Sequence, residues 1–155
     1  MPKRVVVSGY YGFGNFGDEA ILSLIINHLK NMGFEIVVLS SNPRKTSMDY
    51  FVNSIRSFDF YQVAGLLKQS DTLISGGGSL LQDVTSIKSL IYYLWVIATA
   101  LRYRKKVIIF AQGIGPINNK IAKFITGKIL KKCTYVSVRD AKSYNLLKDM
   151  GVGCE

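Results

Sequence analysis

Val5-Val6-Val7-Ser8-Gly9-Tyr10-Tyr11-Gly12-Phe13-Gly14-Asn15-Phe16-Gly17-Asp18-Glu19 decides the fold. Three β-branched residues in a row read as a strand buried on both faces, because a strand with one wet face alternates. Glycines at 9, 12, 14 and 17 then interrupt the chain, and from Glu19 apolar residues return at helical spacing. Ile21, Leu24, Ile25, Leu29 and Met32 form a stripe predicted to lie on the sheet, and Asn31 and Gly33 close a helix near Glu19–Met32.

Strand, glycine loop and helix make one βα unit, and the rhythm continues to the end of the chain. Further strands are predicted near Glu35–Ser40, Phe51–Ile55, Thr72–Ser75, Lys106–Gln112 and Thr134–Val138, after a first near Arg4–Ser8. Helices are predicted near Phe58–Lys68, Ile87–Tyr103, Lys120–Lys132 and Ala141–Met150. The expected class is α/β, a doubly wound and mostly parallel sheet of Rossmann type. At 155 residues the chain suits one domain, and 48% hydrophobic content with mean hydropathy +0.20 excludes disorder. Gly151-Val152-Gly153-Cys154-Glu155 follows a closed helix where another strand could begin, so a fragment of a longer protein is expected.

The net charge of +10 attracts anions: nucleic acid, acidic lipid or phosphorylated metabolites. Cys133 and Cys154 stand apart from other metal-ligating residues and read as free thiols of a reducing cytoplasm, with no metal site. The N-terminal apolar run is too short for a signal peptide. Leu90 to Leu101 is almost continuously apolar and precedes Arg102, Arg104, Lys105 and Lys106. A membrane span needs about twenty such residues. A buried helix is expected, with a foot on an anionic membrane surface as the functional alternative.

Three glycine-rich loops follow three predicted strands: Gly9 to Glu19, Gly76-Gly77-Gly78-Ser79-Leu80-Leu81-Gln82-Asp83, and Gln112-Gly113-Ile114-Gly115-Pro116. In an open α/β sheet all three fall on the carboxyl edge, where ligands bind. Gly12, Gly14 and Gly17 spell a formal G-x-G-x-x-G, but Leu39-Ser40-Ser41-Asn42-Pro43 lacks the acid a dinucleotide's ribose requires. No Gly-Lys-Ser/Thr follows, so there is no P-loop. Asp18 and Glu19 stand where a pyrophosphate wants only donors; a carboxylate there caps the helix or handles a proton.

These loops, with Ser137-Val138-Arg139-Asp140, resemble the motifs of the polysaccharide pyruvyl transferase family, particularly its bacterial cell-wall members. The resemblance implies the N-terminal, acceptor-side half of a GT-B-like enzyme of about twice this length. It implies transfer of pyruvyl from phosphoenolpyruvate to a cell-wall glycan or lipid-linked sugar as a cyclic ketal, with no metal and no tightly held cofactor. It assigns Asp18 as general base or hydroxyl-orienting group and Arg139 as a fork for carboxylate or phosphate. Gly14, Asn15, Gly17, Gly76, Gly77, Gly78, Ser79, Asp83, Gln112 and Gly113 become substrate-binding candidates. For Asp83 closure of its own loop weighs equally, for Asn15, Ser79 and Gln112 turn stabilisation is the alternative, and Asp140 is expected to cap the last helix.

The family's donor-binding histidine resembles a feature of the absent half. The one histidine here, His28, falls in the first helix near its apolar stripe, so the chain alone is expected to turn over little substrate. Two other readings stay open: a nucleotide-sugar-binding glycosyltransferase domain, and a basic nucleic-acid-binding module. The second lacks any reader motif, and no nucleic acid is expected.

Overall fold

The structure is a computed structural model that describes all residues, Met1–Glu155. Strands and helices alternate as β1 (Arg4–Ser8), α1 (Phe16–Asn31), β2 (Glu35–Ser40), α2 (Pro43–Tyr50), β3 (Asn53–Arg56), α3 (Phe60–Gln69), β4 (Thr72–Gly76), α4 (Ile87–Arg102), β5 (Lys106–Gln112), α5 (Lys120–Leu130), β6 (Tyr135–Val138) and α6 (Ala141–Asp149). Every strand pairing is parallel, in the order β3-β2-β1-β4-β5-β6. The chain winds outward from β1 to β3, crosses back, and winds the other way from β4, so the order reverses between β1 and β4. This is the doubly wound, Rossmann-like sheet that the apolar runs predict.

Side-chain alternation along the strands sorts the interior into two clusters. Val6, Leu73, Val107, Ile109 and Val136 point to the face covered by α3 through α6, where 22 buried residues form the larger core. Val5, Val7, Ile36 and Val38 point to the other face, where Tyr11 and the α1 residues Leu22, Ile25, Ile26 and Leu29 complete a cluster of nine. That second face is helix-covered over β1 and β2, while Phe110 and Tyr135 on β5 and β6 stay 42% and 41% exposed. Phe110 is therefore the solvent-facing member of the apolar run Val107-Ile108-Ile109-Phe110, which a strand buried on both faces would cover completely.

Two further details differ from the sequence reading. The stripe of α1 is rotated: Leu22, Ile25, Ile26 and Leu29 are buried, whereas Leu24 and Met32 are 71% and 59% exposed. Asn15 starts the helix at Phe16, and the buried residues follow the i, i+3, i+4, i+7 pattern of one face, on which Leu24 and Met32 do not lie. The third strand is Asn53–Arg56 rather than Phe51–Ile55, because a helix unexpected from the sequence, α2, occupies the preceding residues and ends on Phe51 in a left-handed turn. The long apolar helix is a core element as expected, with Leu90, Tyr92, Tyr93, Leu94, Val96, Ile97 and Ala100 buried. No helix is long and apolar enough to cross a membrane.

Candidate active site

The loops after β1, β4 and β5 meet at the carboxyl edge, beside the point of strand reversal. Backbone bonds continue the sheet into them: Gly77 N–H donates to Phe110 at 2.9 Å, Gly113 to Gly78 at 2.8 Å and Gly115 to Leu81 at 2.7 Å. The triple glycine exists to let α1 come down on this backbone. A methyl group on Gly76 would fall 2.6 Å from Ile25 Cδ1, on Gly77 2.8 Å from Ile21, and on Gly78 2.7 Å from Asp18 Oδ1. Residues 18, 21 and 25 lie along one face of α1, so the same packing that seats the helix delivers the Asp18 carboxylate onto Gly78.

Asn15 caps α1 by accepting from Gly17 and Asp18 N–H at 3.1 and 3.3 Å. Asp18 is thereby relieved of the capping role, and it belongs to none of the three ion pairs in the molecule. Its carboxyl is held above the ordinary aspartate range by partial burial first and by the charge of Glu19 second, against a lowering pull from Arg139. Glu19, its neighbour, clamps the first loop: Oε1 accepts from Gly12 N–H at 2.8 Å and Oε2 from the Tyr50 hydroxyl at 2.7 Å. Tyr11, fully buried, passes beneath and donates to the Gly76 carbonyl at 2.8 Å. Burial pushes the Tyr11 and Tyr50 hydroxyls far up, so both remain protonated donors.

Arg139 follows β6. Its Nη2 donates to Ser79 Oγ at 2.7 Å, and Nε stands 3.7 Å from Asp140 Oδ2. The guanidinium lies against Gly113, where a methyl would meet Nε and Nη2 at 3.0 Å. Asp18, Gly78, Ser79, Gly113 and Arg139 thus form one connected group. A cleft of about 670 Å³ opens beside Ser79 and Gly113, bounded by Pro116, Asp140, Lys142 and Leu146. Asp18 is not on its wall.

The remaining candidates have other duties. Asp83 straps two loops together: its carboxylate accepts from Asn118 N–H at 2.9 and 2.8 Å and from Asn119 N–H at 2.8 Å, which holds it below the usual carboxylate range. Gln112 is fully buried; Nε2 donates to Ser75 Oγ at 2.7 Å and Oε1 has no partner. Asn15 serves as a helix cap, and Gly14 and Gly17 lie exposed on the first loop. Asp140 caps α6 through Ser143 N–H at 2.8 Å. His28 is exposed on α1, away from this edge. The sequence reading missed Tyr50 and Tyr11, whose partners are contributed by distant segments. It saw Glu19 only as a cap or proton carrier, and the Glu19 to Gly12 spacing alone does not announce the clamp.

The doubly wound α/β domain, with a carboxylate and a guanidinium on its carboxyl edge, is a Rossmann-like domain without the ribose-binding acid of a dinucleotide site. The sequence model of the family described as polysaccharide pyruvyl transferase matches residues 15–155, and the chain belongs to that family. Family membership carries the coarse activity, a transferase with a polysaccharide acceptor. The chain has no match among the curated proteins.

Proposed function

We propose that this chain is the acceptor-side half of an enzyme that moves pyruvyl from phosphoenolpyruvate onto two hydroxyls of one cell-wall sugar, free or lipid-linked. The observation that carries the reading is the half-buried, unpaired Asp18 carboxylate set over Gly78, within the field of an Arg139 anchored on Ser79. In the reaction a proton adds to the methylene carbon of the enol. A sugar oxygen bonds to the adjacent carbon and loses its proton. The second hydroxyl oxygen then bonds to that carbon as phosphate leaves with its C–O electron pair and the second hydroxyl proton is released.

Asp18 is suited to receive a hydroxyl proton, since a carboxylate with a raised pKa is a stronger base at neutral pH. Arg139 offers a planar fork to the donor's carboxylate or phosphate. The donor side is assigned to a second domain, so the chain alone should release little phosphate. The cytoplasm is the proposed compartment, in keeping with two free cysteines. In the enzyme with both halves, Asp18→Asn should fold and lose ketal formation by on the order of 10²–10⁴, read by mass analysis of the glycan product. Activity within twofold of the parent would remove Asp18 from the chemistry.

A further inference from the structure

The positive charge is not spread evenly. From Val84 to Arg139 the sequence contains no Asp or Glu and eleven Lys and Arg residues. This acid-free stretch builds α4 and α5, and between these helices runs a groove of about 440 Å³ lined by ten hydrophobic residues out of eleven. Its walls reach solvent: Ile87, Ile91, Ile121 and Ile125 are 40%, 59%, 71% and 44% exposed, and Phe124 beside them is 62% exposed. Trp95 lines the groove and packs edge-on against Phe60 of α3 at 4.8 Å. Lys88, Lys120 and Lys128 are exposed on the two helices and Lys123 is half-buried, with Lys128 Nζ 4.7 Å from the Phe124 ring centroid.

We propose that the α4–α5 face docks the protein on an anionic lipid bilayer. An apolar strip flanked by lysines that outnumber the two nearby acids, Asp83 at the Asn119 end and Asp149 beside Lys120, Lys123 and Lys128, is complementary to a surface with anionic headgroups outside and hydrocarbon beneath. Long lysine stems cover apolar surface while their ammonium groups reach the headgroups. Other occupants satisfy only half of the pattern. Nucleic acid would neutralise the lysines and leave the isoleucine groove unfilled, and a second copy would bring the same cations against this face. The helices lie on the surface, since neither can span it. Asn119, at the N-terminal end of α5, both lines the groove and is strapped to Asp83, so docking would set the carboxyl-edge site close to the lipid surface.

This inference rests on charge and packing and is independent of the pyruvyl reading, so it is tested without sugar or donor. The whole chain is sedimented with sucrose-loaded vesicles of phosphatidylcholine, with and without 30% (roughly) phosphatidylglycerol, while the emission of its single tryptophan, Trp95, is followed. Binding to the anionic vesicles alone is expected, with a blue shift and quenching by brominated acyl chains. Replacing Lys120, Lys123 and Lys128 with Gln should weaken partitioning by on the order of a hundredfold. Ile121→Ser with Phe124→Ser, both exposed and so tolerated by the fold, should abolish the quenching. Absence of binding at low salt, binding that leaves Trp95 unquenched, self-association through this face in place of binding, or preferential retention of duplex DNA by the same lysines would each overturn the proposal.

Discussion

Gly77 and Gly14 both hold a left-handed backbone, at φ 69° and 79°, yet they answer to different constraints. At Gly14 a methyl group would meet nothing within 4 Å, whereas at Gly77 it would strike Ile21 at 2.8 Å. Gly14→Ala should therefore cost only the backbone strain, about 1–2 kcal/mol. Gly77→Ala adds overpacking against α1 of about 1–3 kcal/mol, for roughly 2–5 kcal/mol in all. Urea titrations of the two variants test this; equal losses would mean that α1 lifts freely from the triple glycine. The same seating fixes the behaviour of Asp18. Its folded carboxyl titrates above the ordinary value of 3.8, so the folded state binds more protons than the unfolded one across that window and stability falls as pH rises through it. Asp18→Asn should be more stable than the parent at neutral pH and lose that advantage near pH 3, by thermal melts at both values. A variant less stable at neutral pH would reveal a partner for this carboxylate.

Elements built from apolar runs were legible in the sequence, and elements held by polar or distant contacts were not. Val5 to Val7 and Ile36 to Leu39 declare buried parallel strands because nothing else accommodates unbroken β-branched runs of that length. Helix α2, Pro43-Arg44-Lys45-Thr46-Ser47-Met48-Asp49-Tyr50, buries only Thr46 and so shows no stripe. Its signal lay elsewhere, in Asn42 as cap and Pro43 in the first turn. The candidate site divides the same way. The family resemblance brought forward Asp18, Ser79 and Arg139, while the duties of Asp83 depended on Asn118 and Asn119 from another loop. Because those amides favour its ionised form, the Asp83 strap contributes stability above the ordinary carboxylate pKa and is lost as pH falls through the lowered folded value. Asp83→Ala should accelerate hydrogen exchange at Asn118 and Asn119 at neutral pH and lower the melting temperature, with parent and variant converging in strong acid. Unchanged exchange would assign the strap to α5 and its own cap, Asn119.

Across the whole molecule, burial is lopsided: 22 residues form the core under α3 through α6, against nine beneath α1 and α2. The thinnest corner is α2 with β3, where an eight-residue helix buries one side chain and a four-residue strand forms the sheet edge. Segments with so little buried surface open at lower free energy than the rest. This corner also holds Tyr50, whose hydroxyl secures Glu19, which in turn holds Gly12 in the loop that precedes Asp18. Opening of α2 would therefore release one end of the loop while β1 and β4 keep the other end fixed. Native-state hydrogen exchange should show α2 and β3 amides exchanging through a sub-global opening that leaves α4 and β4 protected. Tyr50→Phe should raise exchange at Gly12 with little change in α4, because it removes the tether and leaves the larger core intact. Exchange of α2 at the same free energy as α4 would make the domain a single cooperative unit, and the glycine loop would then be as rigid as the sheet beneath it.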